Sequence, residues 1–206
     1  VYMKGRRSNL SEYAVLHAHT SKGSVGDSTL SVAEYVARAK ELGLSHIAIT
    51  DHGSMASMIE FHEACKKASI TGIIGMEAYV VEDRLQKDPE HRYDYGHLIL
   101  LARDAEGVRN LLRIHNDAQI DGFYGKPRTD YSVLKKYGSH IIALSACIAG
   151  EIPKKILMDD MDSARRIISI YQNCFDQFYL EIQPGHFEGQ QKVNDALVSL
   201  SHELKI

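Results

Sequence analysis

The sequence predicts an α/β domain whose helix-covered, parallel sheet presents its chemistry at the ends of strands. Short apolar runs alternate with amphipathic helical patterns from residue 13 onward. The runs are near-continuously apolar, as strands buried on both faces are. Histidines and carboxylates stand at or beside several of them. Such a sheet is either open or closed into a barrel, and in both cases functional residues collect at the carboxyl ends of the strands.

In chain order, the expected strands are Tyr13–His17, His46–Thr50, Gly72–Val80, His97–Ala102, His140–Leu144 and Phe178–Ile182, each rich in Ile, Val, Leu or Tyr. The first helix opens on the capping box Ser31-Val32-Ala33-Glu34. Its apolar stripe, Val32, Tyr35, Val36, Ala39 and Leu42, ends at Gly43. Met55–Ala68 and Ala105–Ile114 read the same way. Two further stripes are Met161, Ala164, Ile168, Tyr171, Phe175 and Val193, Ala196, Leu197, Leu200, Leu204. The last helix runs to Lys205-Ile206, where the alternation calls for one more strand.

A chain of 206 residues, 44% hydrophobic, suits one globular domain, and no Pro/Gly/Ser-rich linker divides it. No apolar run approaches the ~20 residues of a membrane helix, so no membrane partner is expected. The basic start Val1–Arg7 lacks the apolar run of a secretory signal. Cys65, Cys147 and Cys174 are odd in number and widely spaced, which argues for a reducing, cytoplasmic setting. The formal charge of -3 supplies no general grip on nucleic acid.

Eleven histidines are the unusual feature. In Leu16-His17-Ala18-His19-Thr20, side chains two apart on a strand leave the same face, so His17 and His19 can point at one ion. Two ordinary surface histidines are the rival reading. Asp27 follows in a Gly/Ser-rich loop and alone reads as an ordinary loop acid. Asp51 and His52 directly follow a strand and precede Gly53, with a helix-capping role as the alternative for Asp51. Glu77 interrupts the apolar run Ile73–Val80, where an acid is costly unless paired or metal-bound. His97 opens another run, and Cys147 lies just past a strand. Imidazole, carboxylate and thiolate donors together favour transition metals over Mg or Ca. Seven candidates exceed the ligands of one ion, which points to a multinuclear site of the kind that hydrolyses phosphoesters by activating water.

The motifs His17-Ala18-His19-Thr20, Thr50-Asp51-His52-Gly53, Gly75-Met76-Glu77, His97 and Cys147 fall in the order of the PHP (polymerase and histidinol phosphatase) superfamily. The segments Leu98–Asp104, Gly107–Leu112, Gly122–Arg128, Leu144–Pro153 and Phe178–Gln183 resemble, more narrowly, the PHP domain of bacterial DNA polymerase III alpha subunits. The resemblance runs from about Tyr13 to Leu204. It implies a distorted (β/α)7 barrel over residues 13–206 behind an N-terminal extension, 1–12. It also implies that the chain stops before the last strand and that strand's Asp-x-His motif.

By the same resemblance His17, His19, Asp27, His52, Glu77, His97 and Cys147 match ligands of two or three divalent metals, with Glu77 bridging. Zinc is the first choice, manganese or iron the alternatives. Asp51, His52 and Glu77 are the catalytic candidates, Asp51 as an orienter of one ligand. The implied activity is a 3′–5′ exonuclease acting on a DNA 3′ end, within a DNA-directed DNA polymerase whose remaining chain and replisome subunits are the partners. A histidinol-phosphate type phosphatase and a catalytically silent scaffold are the rivals. Lys126 and Arg128 are candidates to meet a substrate phosphate. Asp160-Met161-Asp162 reads as the start of a helix, not as a pair of metal-binding acids. His186 is the unassigned histidine most worth locating.

Overall fold

The computed structural model describes residues 13–185 and 187–206. The expected extension, 1–12, and His186 lie outside the described residues. Among the described residues, eight strands and seven helices run in the order β1 (Ala14–Val15), α1 (Val32–Glu41), β2 (His46–Ile49), α2 (Met58–Ala68), β3 (Thr71–Val81), β4 (Gly96–Ala102) and α3 (Ala105–Ile120). Then come β5 (Phe123–Tyr124), β6 (Lys126–Asp130), α4 (Tyr131–Tyr137), β7 (Ile141–Leu144), α5 (Glu151–Leu157), α6 (Met161–Cys174), β8 (Gln177–Tyr179) and α7 (Gln190–Leu204).

The sheet follows the path β1-β2-β3-β4-β7-β8 and curves into a partial barrel with β1 and β8 at its edges. It is mixed, which corrects the expectation of a parallel sheet. β4 runs antiparallel to both β3 and β7, while β1–β2, β2–β3, β3–β6 and β7–β8 are parallel. The physical reason lies between β3 and β4. A parallel return needs a crossover, usually helical, and residues 82–95 contain no helix.

This reversal gathers the site. The carboxyl ends of β1, β2, β7 and β8, the middle of β3 and the amino end of β4 meet at one rim. β3 is long enough to pair with β2 through its first half and β6 through its second. Gly75 sits where three strands crowd: a Cβ there would lie 2.7 Å from Leu100 O and 3.0 Å from Ile49 O.

Local chemistry explains the helices. Ser31 and Glu34 form the expected capping box, and Asp104, Asp130 and Asp160 cap α3, α4 and α6 through side-chain oxygens. α2 starts three residues later than expected. Its N-cap Ser57 makes no capping bond, and its hydroxyl donates to Asp51. β4 shows how the layers divide. Leu98 and Leu100 enter the main core with Phe61, Leu111, Ile114, Ile141, Ile152 and Tyr171. Ile99 and Leu101 face the other way, with Ala48, Leu144 and Ala146. Glu77 is paired with Ile99, and Tyr79 with His97. Paired residues share a face, so Glu77 and His97 rise from the inner side of the half-barrel.

The short elements β5, β6, α4 and α5 were not foreseen. Lys126-Pro127-Arg128 reads as a loop because proline and paired cations are rare in strands. Arg128 is nonetheless buried, donating to the carbonyls of Gly122, Arg84 and Gln86. That corrects its candidacy as a phosphate contact: its guanidinium is occupied.

Candidate metal centre

Glu77 is the hub. Its side chain has no exposure to solvent, and four histidines converge on it. Oε1 lies 3.0 Å from His97 Nδ1 and 3.5 Å from His17 Nε2. Oε2 lies 2.7 Å from His52 Nδ1 and 3.4 Å from His19 Nε2. Two triads of donors result, His17–His19–Glu77 and His52–Glu77–His97, each with its ligand atoms within 4.8 Å of one another. The rings pack closely: His19 stacks on His52 at 4.3 Å, and His17 Nε2 stands 3.1 Å from His19 Nε2.

Each donor is positioned by its element. His17 and His19 follow β1, with the segment stitched to β2 by reciprocal bonds between Ala18 and Thr50. His52 follows β2 and bridges to Glu77 through the backbone. Gly53, at φ 55°, then turns the chain away; a Cβ there would strike Pro127 and the Tyr79 ring. His97 enters from the amino end of β4. Cys147 follows β7 after Ala146, a buried residue at φ 61°. Its Sγ lies 3.6 Å from His97 Nδ1 and 3.8 Å from Glu77 Oε1.

Asp27 and Asp51 occupy other places. Asp27 is 59% exposed and meets the far nitrogen of His52, with Oδ2 2.6 Å from Nε2. Asp51 stands behind the cluster. Its carboxylate accepts from Thr20 N and Oγ1, Ser24 Oγ and Ser57 Oγ, at 2.6 to 3.1 Å. Ser24 in turn accepts from the His52 backbone N–H. Asp51 thus acts on His52 only through the loop it anchors.

One residue of the site was missed. Glu181, just past β8, accepts a hydrogen bond from His17 Nδ1 at 2.8 Å, and Gln183 Nε2 donates to the same oxygen at 2.7 Å. The signal was present: an acid within an apolar run, as for Glu77. A carboxylate on one imidazole nitrogen with the other aimed at a cluster is the usual support of a metal-binding histidine.

The electrostatics are those of a charge-sharing knot. Burial would raise the Glu77 carboxyl, but the close imidazoles of His17, His52 and His97 hold it far below the usual carboxylate range. Burial works against a charge on His17, and Glu181 and Glu77 outweigh it, raising its pKa to about 9. Burial likewise opposes charge on His52, yet Glu77 raises it. His19 is lowered, by burial and by neighbouring histidines. Burial and then the Glu77 charge push the Cys147 thiol up to about 11.

The residues fit a metal. His52 Nδ1 and Glu77 Oε2 are buried and 2.7 Å apart, yet neither makes an aligned hydrogen bond. Unpaired buried donors facing one space around a shared carboxylate suit a cation, and imidazole-rich sets suit transition metals. Asp162, by contrast, is fully exposed at the start of α6, as expected for helix-start chemistry.

The chain is similar to known proteins in sequence and in fold. The chain is 38% identical over 199 residues to the DNA polymerase III subunit alpha of Borreliella burgdorferi, and 34% identical over 204 residues to that of Aquifex aeolicus. Each alignment covers 95% of this chain and 17% of the relative, so the chain spans about one sixth of the length of these relatives. The subunit of Thermus aquaticus is 36% identical over 192 residues, covering 90% of this chain and 16% of its own. Among solved structures, a putative metal-dependent phosphoesterase from Bifidobacterium adolescentis superposes with a TM-score of 0.54 at 14% identity, over 94% of this chain and 84% of its own, a likeness of fold. The PHP domain family model matches residues 16–185, and the chain belongs to that family.

Proposed function

We propose that this domain is a metal-dependent phosphoesterase within a DNA polymerase III alpha subunit, acting as a 3′–5′ exonuclease on a DNA end. The observation that carries the reading is the pair of donor triads sharing Glu77. His17 and His19 would hold one divalent transition metal, His52 and His97 another, and Glu77 both. Cys147 and Asp27 flank the second triad, as the ligand pattern of the resemblance implies. Zinc suits the nitrogen-rich set, with manganese or iron as alternatives. Bound metals supply an activated water and neutralise charge on the attacking and leaving oxygens of a phosphoester.

The chain's own residues set the stage. Glu181 fixes the His17 ring so that Nε2 faces the cluster. Asp51 holds the loop carrying His19 and, through Ser24, the backbone of His52. The aromatic wall of Tyr79 and Tyr95 shields His52 and His97 from solvent on one side. A groove between the sheet edges β1 and β8 is lined by Tyr13–His17 and Tyr179–Pro184. The groove runs beside His17 and Glu181.

The remaining alpha chain and replisome subunits are the proposed partners. No helix among the described residues is long and apolar enough to cross a membrane. Three unpaired cysteines and replication relatives support a cytoplasmic setting.

The test is hydrolysis of a 3′-labelled single-stranded oligonucleotide with added zinc, manganese or iron, beside p-nitrophenyl phosphate. The reading predicts metal-dependent release of the 3′ nucleotide. Turnover of the monoester alone favours the phosphatase. Stabilisation by metal without turnover of either favours the scaffold.

A further inference from the structure

Several cations among the described residues are engaged. Arg84 pairs with Asp117 and Asp130, Arg103 with Asp176, and Arg165 with Glu203, while Arg128 is spent on carbonyls. Two cations at the β5–β6 hairpin differ. Among the described residues, Lys126 and Arg92 meet aromatic rings and no carboxylate. Lys126 Nζ lies 5.2 Å from the centroid of Tyr79, the ring that stacks on His52 at 5.9 Å and meets His97 edge-on at 5.3 Å. Arg92 lies between Tyr93 and Tyr124, 5.5 and 5.4 Å from their centroids.

The β5–β6 hairpin fixes this arrangement. Gly125, at φ 75°, closes its turn so tightly that a Cβ there would come 2.6 Å from Arg92 Nε. Pro127 seats the hairpin on Gly53, the residue after His52. Tyr95 is held by a 2.6 Å bond from Lys154 to its carbonyl and lies parallel to His97. Farther out, Tyr93 is 65% and Phe123 50% exposed. Of the acids beside Arg92, Asp94 and Asp88 turn toward His91.

A cation over a ring keeps its outward N–H donors free. Alternating free cations and accessible rings match the alternation of phosphate and base in a single strand, where stacking tolerates any sequence. A small phosphomonoester would have no use for rings and a cation set outward from the reacting centre. Net charge -3 also requires any attraction for a polyanion to be local.

We propose that the β5–β6 hairpin and residues 92–95 form the binding edge for a single-stranded nucleic acid whose terminal linkage reaches the metal centre. Lys126 holds a phosphate next to the centre, and Arg92 with Tyr93 and Tyr124 holds the nucleotide beyond it. The proposal rests on the phosphoesterase reading, and its test separates the two.

The test is fluorescence anisotropy of a labelled oligodeoxythymidylate with metal-free protein in chelator, where no cleavage intrudes. Arg92→Ala and Lys126→Ala should each weaken binding roughly fivefold or more and flatten the log–log salt slope by about 0.7. Lys66→Ala, an equal charge change on the distant α2, should leave both unchanged. Lys126→Glu should weaken binding further, and circular dichroism verifies folding of every variant. Absent binding by the unaltered protein, or Arg92 and Lys126 variants that bind as Lys66→Ala does, overturns the proposal. Hydrolysis of bis-p-nitrophenyl phosphate by the unaltered protein judges the catalytic reading separately. Its absence with every metal sinks that reading while the anisotropy still decides the binding edge.

Discussion

Glu77→Gln isolates the shared carboxylate. The substitution keeps the shape and removes the charge, leaving each triad two imidazoles and a neutral amide. A ligand present at a hundredfold excess over its Kd stabilises a fold by about 2.7 kcal/mol. In a domain of 206 residues, each kcal/mol moves Tm by about 2–4 °C. The unaltered protein should therefore gain roughly 5–10 °C on adding metal, and Glu77→Gln almost none. The metal-free variant also melts lower, because Glu77 is fully buried among histidines. Breaking such a buried pair costs at most about 3–5 kcal/mol. The discriminating quantity is thus the difference with and without metal, read by differential scanning calorimetry in metal and in chelator. An undiminished increment in Glu77→Gln would refute the bridging role.

Glu181→Gln should lower metal affinity about 10–100-fold, as loss of a supporting carboxylate does, with an unchanged far-ultraviolet spectrum; chelator competition measures it. Asp51→Asn places an amide against Thr20 N. It should destabilise the fold by about 1–3 kcal/mol and weaken metal binding with it, followed by urea unfolding and metal titration. The raised His17 sets a pH dependence of known sign. In metal-free protein its contribution is complete below pH 6.5 and lost as pH rises through about 9. Metal must displace that proton, so metal affinity should climb across the same window. Affinity that falls between pH 6.5 and 9 would contradict the assignment. Phe61→Ala, a fully buried ring under the sheet, should cost about 3–5 kcal/mol in urea unfolding while metal still binds.

Much of the centre was legible because its donors stand out locally. His17 and His19 alternate just past a strand, His52 follows the next one, and Glu77 is an acid in apolar text. Other features depend on residues far apart in sequence. The direction of β4 is set by the unhelical stretch 82–95, not by its own residues. Asp51 reads as a catalytic candidate, yet four donors from the Thr20–Ser24 loop and Ser57 take its oxygens. Arg128 shows as a charge, and only the folded chain reveals the three carbonyls it serves. Glu181 lies 164 positions from the histidine it supports. Its apolar setting carried the same warning as that of Glu77.

The central claim is that one buried carboxylate joins two metal-binding triads, and an anomalous-scattering map of crystals grown with zinc tests it most directly. The account predicts at least two peaks flanking Glu77, one beside His17 and His19 and the other beside His52 and His97. Zinc bound only elsewhere on the domain, or a single ion that leaves either histidine pair without metal, would contradict it.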